Sequence, residues 1–195
     1  EESNDLEIIQ FSTLLELGRT QSIRGVYLLT EADISKNQDT SKSLCGDALF
    51  LFKQSYNHFA DCLTQEPKND VALRHWGTTL CKEAFTLKVL EITSPDPMKL
   101  VLEGGEKLIF AYQINPSREN QRGLARFFFD QGNYLYQKAL KSDDKKKLAE
   151  ADLLIQKALE FSHPKPSRQM LVAYSGLTSK VVNYIATPAL NEHMK

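Results

Sequence analysis

Apolar residues recur along this chain at steps of three and four, which is the period of one buried helix face. The pattern is clearest between Leu44 and Glu66, where Ala48, Leu51, Phe52, Phe59 and Leu63 form a single stripe. Similar stripes predict helices over about Asp70–Thr93, Met98–Ile114, Arg118–Lys141, Lys145–Phe161 and Pro166–Ala186. Upstream, Asn4 and Asp5 read as caps of a first helix bearing Ile8, Ile9, Phe11, Leu14, Leu15 and Leu17, with Gly18 closing it. A second apolar segment runs from Ile23 to Ile34, and the polar run Ser35–Ser43 reads as a loop. Strand signals are nearly absent, because short β-branched pairs such as Val181-Val182 sit inside helical patterns. The prolines Pro67, Pro95, Pro97, Pro116, Pro164, Pro166 and Pro188 stand at the junctions. Proline cannot continue a helix interior but is tolerated in its first turn, so these residues punctuate helices. Seven or eight helices with short connections are expected, in an all-α fold.

The stripes also repeat. Counting back 5, 8 and 12 residues from Pro67 gives Cys62, Phe59 and Ser55. The same offsets from Pro116 give Ala111, Leu108 and Gly104, and from His163 they give Ala158, Ile155 and Ala151. Each set reads small, large apolar, small, then a helix stop, at intervals of about 48 residues. Small residues at successive turns let a neighbouring helix approach, and the large residue fills the remaining gap. Ten residues beyond the anchors stand Gly77, Arg126 and Ala173, of which Arg126 breaks the pattern. A non-repeating bundle with prolines at its turns is the competing explanation.

At this point the chain resembles the tetratricopeptide repeat family. Ser55, Phe59, Cys62 and Pro67 match that family's B-helix signature, and Leu73, Trp76, Gly77 and Leu80 partly match the A helix that follows. The likeness covers about Ile23 to Ala186 and is best between Ser55 and Leu80. Family repeats are 34 residues long, and the units here exceed that by about 14. The excess lies in long A helices and in the turns Ser94–Pro97 and Ser142–Asp144, which resemble the elongated repeats of the plant-type mitochondrial import receptor. The resemblance implies a right-handed stack of antiparallel helical hairpins forming a single domain over residues 1–195. Its units would be 20–67, 68–116, 117–165 and 166–195, with 1–19 as an N-terminal capping helix. Phe59 and Trp76 are expected in one interhelical core.

In that family the A helices line a concave face. Residue by residue, the groove positions become Val71, Arg74, Thr78, Cys81 and Lys82, then Asn120, Gly123, Phe127, Asp130 and Gln131, then Ser167, Met170, Tyr174, Leu177 and Thr178. Arg74, Thr78, Lys82, Asn120, Phe127, Gln131, Met170 and Tyr174 are the expected partner-binding residues. Chaperone-binding members clamp a terminal carboxylate with Lys and Asn on one A helix. Here those slots hold Arg74 and Thr78, Gly123 and Phe127, or Met170 and Tyr174, so binding of Hsp70 or Hsp90 C-terminal tails is not expected. Alternatively, the long A helices pack into their own groove and fill it.

Composition narrows the function classes. Net charge is −1 and 42% of residues are hydrophobic, so a sizeable core is available and no global field favours nucleic acid. The lysines Lys138, Lys141, Lys145, Lys146 and Lys147 flank Asp143 and Asp144, which suits a solvated turn better than a phosphate-binding patch. No stretch approaches the ~20 apolar residues of a membrane span. Cys45, Cys62 and Cys81 are an odd set without metal-ligand spacing, as expected in a reducing, cytoplasmic compartment. His58, His75, His163 and His193 form no His-x3-His pair, so no metal and no other cofactor is expected. Gly104-Gly105 lacks the following Lys-Ser or Lys-Thr of a phosphate loop and suits close helix packing. The chain opens on Glu1 and Glu2 with no methionine, as a piece cut from a longer polypeptide would. The expectation is a non-catalytic module binding a protein or peptide. The alternatives are a regulatory or docking domain attached to a catalytic domain elsewhere and, least favoured, an enzyme in its own right.

Overall fold

A computed structural model of the chain describes residues 2–142, 144–162, 170–172 and 175–176, with side chains from residue 10 onward. Among these residues there is no strand, and the all-α expectation holds. The helices in chain order are α1 (Glu2–Ile34), α2 (Gln38–Gln65), α3 (Asp70–Val89), α4 (Pro97–Ile114), α5 (Arg118–Ser142) and α6 (Lys145–Ser162). None of them is long and apolar enough to cross a membrane. The chain divides into two compact units, Glu1–Asn120 and Gln121–Lys195.

In the first unit α1 packs along α2 and α3 along α4, and the two hairpins stack through α3 against both α1 and α2. The ends of these helices follow from their local chemistry. Asn37 caps α2 by accepting the Asp39 and Thr40 N–H groups at 2.9 and 3.2 Å. Asn69 caps α3 through the Ala72 N–H at 2.9 Å, and Asp96 caps α4 through the Met98 N–H at 2.9 Å with Pro97 in the first turn. At the end of α3 the Ile92 N–H donates to the Leu87 carbonyl and the Glu91 N–H to the Lys88 carbonyl, while Glu91 turns left-handed at φ 58°. That is a Schellman stop, and it ends α3 four residues before the expected Thr93.

Two expectations at the N-terminal end are corrected. Gly18 does not close a helix: α1 runs unbroken for 33 residues, so the capping helix and the helix after it are one. The space left by Gly18 is taken by Phe59, whose Cε1 would lie 2.6 Å from a β-carbon at position 18. Gly25 receives Phe52 in the same way, at 2.5 Å. The glycines on α1 and the phenylalanines on α2 share a seven-residue spacing in opposite chain directions, so they mesh as an antiparallel pair. The Ser55 hydroxyl adds a hydrogen bond to the Gly18 carbonyl at 2.8 Å. Ser35–Ser43 is likewise not a loop. Only Ser35, Lys36 and Asn37 lie between the helices, and the remaining polar residues form the first turns of α2.

All nine small-large-small positions are buried: Ser55, Phe59, Cys62, Gly104, Leu108, Ala111, Ala151, Ile155 and Ala158. In each hairpin the large residue fills the space beside a glycine on the preceding helix: Gly18 for Phe59, Gly77 for Leu108 and Gly132 for Ile155. In the second unit the glycine on α5 is thus Gly132, whereas Arg126 is exposed and pairs with Asp130 at 3.0 Å. There Ala139, Leu148, Ala151 and Ile155 form one core cluster and Ala125, Phe129, Ala158 and Met170 another. Full burial of a Phe or Ile side chain contributes about 1.5–3 kcal/mol, so these contacts dominate hairpin formation.

Phe59 and Trp76 do not share a core. Phe59 is fully buried and stacks on His75, with ring centroids 5.9 Å apart. Trp76 is half-buried, and the Lys107 ammonium lies 3.7 Å from its ring centroid. Neighbours on a helix point about 100° apart, so only one of the pair could face Phe59.

Candidate functional site

One face of α3 carries Arg74, Thr78, Lys82, Phe85 and Val89, at steps of three and four residues. That face meets the C-terminal half of α1 at a cavity of about 610 Å³. Val26, Leu29, Thr30 and Asp33 line it from α1, and Lys82, Phe85, Thr86 and Val89 from α3. The short connection contributes Ser35 and Lys36, and the start of α2 contributes Cys45. Ser22 of α1 and Thr79 of α3 hydrogen-bond at 2.8 Å, fixing the register of the two walls nearer their middles.

Two apolar side chains of the cavity wall on α3 stand open to solvent. Phe85 is 62% exposed and Val89 56%. On α1, Ile23, Tyr27 and Ile34 are 65, 61 and 75% exposed. They fall on one stripe with Thr30, which itself lines the cavity. Scattered exposed apolar side chains need no explanation, but Phe85 and Val89 stand one turn apart at the cavity, with Val26 and Leu29 lining it from α1.

Charge is arranged around this site. Lys82, Lys36 and the acidic Asp33 all line the cavity. Toward the other end of α3, burial pushes the Arg74 guanidinium below its ordinary value, Asp70 opposes that, and the nearby Arg19 charge adds to the lowering. Arg19 is itself paired with Glu16. Burial raises the Cys45 thiol, which lines the cavity, and so favours its protonated form.

Of the residues expected from the sequence, Arg74, Thr78 and Lys82 lie together on this face. Thr78 is exposed, and its hydroxyl donates to the Arg74 carbonyl at 2.8 Å. Asn120 is not available to a partner: it is 1% exposed, and its amide donates to Asp70 Oδ2 at 2.7 Å, the Asn115 carbonyl at 2.8 Å and the Ala111 carbonyl at 3.2 Å. In the second unit Phe127 and Gln131 are half-buried on α5, while Met170 is 6% exposed and packed against Ala125, Phe129 and Ala158. Tyr174 lies outside the described residues. Phe85 and Val89 were missed because the family's groove positions stop at Lys82, about two turns short of the end of this longer helix. Continuing the three- and four-residue steps past Lys82 would have found both. Set against protein-family models, curated proteins and solved structures, the chain finds no match.

Proposed function

We propose that this chain is a non-catalytic protein-interaction module that seats a segment of another protein against the α1/α3 face. The observation that carries it is the cavity of about 610 Å³, lined by exposed Phe85 and Val89 of α3 and by Val26 and Leu29 of α1. An apolar wall with charges at its edges suits a peptide or helix whose apolar side chains enter the cavity, while the cations orient the approach. In the tetratricopeptide resemblance α1 and α3 take the place of A helices, whose concave-side faces line the groove.

The test compares the proteins retained by the parent chain, by Phe85→Asp with Val89→Asp, and by Phe50→Asp as a control. Phe50 is 62% exposed on α2 and does not line the cavity. The expected result is loss of specific retained proteins from the α3 variant alone, with its melting temperature close to the parent's. Equal retention by all three chains at equal stability would overturn the reading.

A further inference from the structure

Glu83 lies on α3 with a side chain that is fully buried, and neither carboxyl oxygen completes a hydrogen bond. Tyr56 of α2 turns its hydroxyl toward the carboxyl and Lys53 of α2 acts on it from farther out, while Glu103 faces it from α4. Glu103 is itself paired with Lys107 at 3.4 Å. On α1, Arg19 acts on Arg74 and His75, more than two turns before Glu83 along α3, and Asp33 lines the cavity with Lys82 and Thr86. Trp76 stands seven residues before Glu83, on the same side of α3, and its buried Nε1–H is also without a partner. This seam between α2, α3 and α4 is therefore short of hydrogen-bond partners at two places.

A buried carboxylate without partners is far more costly than the neutral acid. We propose that Glu83 is a proton-dependent clamp, folded into the seam as a neutral carboxylic acid, and that release of its proton loosens α3 from α2 and α4. Burial raises its folded value above the ordinary one; Lys53 and then Tyr56 oppose this, and Glu103 adds to it. Tyr56 is pushed up to about 12, so it stays a neutral phenol throughout. For a carboxyl raised on folding, the stabilising proton is fully present below the unfolded value of about 4.3 and is lost as pH rises through the folded value. The clamp thus weakens from mildly acidic toward alkaline pH, opposite to the usual behaviour of a salt-bridged carboxylate.

The experiment follows unfolding of the full chain and of Glu83→Gln between pH 4 and pH 9. Glutamine keeps the shape and cannot ionise. Relative to the variant, the parent's unfolding constant should rise by up to about ten-fold per pH unit across the interval in which Glu83 titrates. Parallel curves would overturn the proposal. Should Glu83→Gln fail to fold, the carboxyl-carbon NMR titration of Glu83 in the parent decides. A midpoint well above about 4.3 supports the clamp, and one at or below it removes it.

Discussion

Gly77 and Gly104 meet backbone to backbone: a β-carbon on Gly77 would lie 2.6 Å from the Gly104 carbonyl oxygen, and one on Gly104 would lie 2.7 Å from the Gly77 carbonyl oxygen. Neither oxygen can swing aside, because each belongs to a helix. Gly77→Ala should therefore lower stability by about 1–3 kcal/mol despite alanine's better helix propensity. Gly46→Ala, on α2 with nothing within 4 Å of the added carbon, should raise it by about 0.5–1 kcal/mol. Denaturant midpoints of the two variants check the pair, which must move in opposite directions.

Phe59→Ala should lower stability by about 3–5 kcal/mol, since it empties the space beside Gly18 and removes the ring on which His75 stacks. Phe50→Ala, at an exposed site on the same helix, should stay within about 0.5 kcal/mol of the parent. Thermal melts of both variants at neutral pH separate these outcomes.

Glu91 holds a left-handed backbone at φ 58°, a region that costs a non-glycine residue about 1–2 kcal/mol. Glu91→Gly should relieve part of this and stabilise the chain by about 1 kcal/mol. The urea midpoint should rise while the slope of the transition stays constant.

His75 predicts an acid limit. Burial, with Arg74 and Arg19 adding to it, holds its folded value down at about 4 against an ordinary 6.5. A group depressed on folding contributes stability that is present above its unfolded value and lost as pH falls through the folded one. Stability should fall by about 1–2 kcal/mol from pH 7 to pH 4.5, less than full linkage because the ring is only partly shielded from solvent. His75→Gln should flatten that part of the pH profile. Glu83 acts over the same acid range with the opposite sign, so the His75→Gln comparison should be made in the Glu83→Gln background.

The helices between Leu44 and Ser162 were legible because a stripe period and a proline both mark them, and each small-large-small position proved buried. What failed was local chemistry read without its tertiary partner. Gly18 has the sequence signature of a helix end, yet its meaning depends on Phe59, 41 residues later. The corresponding separations are 31 residues for Gly77 and Leu108 and 23 for Gly132 and Ile155. No fixed offset could reveal that shared contact. Asn120 resembled a groove residue by position, but Asp70 and the end of α4 hold its amide. Near the candidate site, Arg74 and Lys82 were readable from spacing, whereas the cavity became visible only once α1 was one helix lying beside α3.

The Asn120 amide also sets where this chain can be divided. It stands at the first turn of α5 but ties the start of α3 to the end of α4, so the first unit extends past the proline and helix start that mark its border in the sequence. A fragment ending at Pro116 would shed that tie and leave the Ala111 carbonyl without its side-chain donor. One carried through the first turns of α5 would keep it. Expression boundaries for this hairpin pair belong inside α5, where a tidy reading of the helices would never place them.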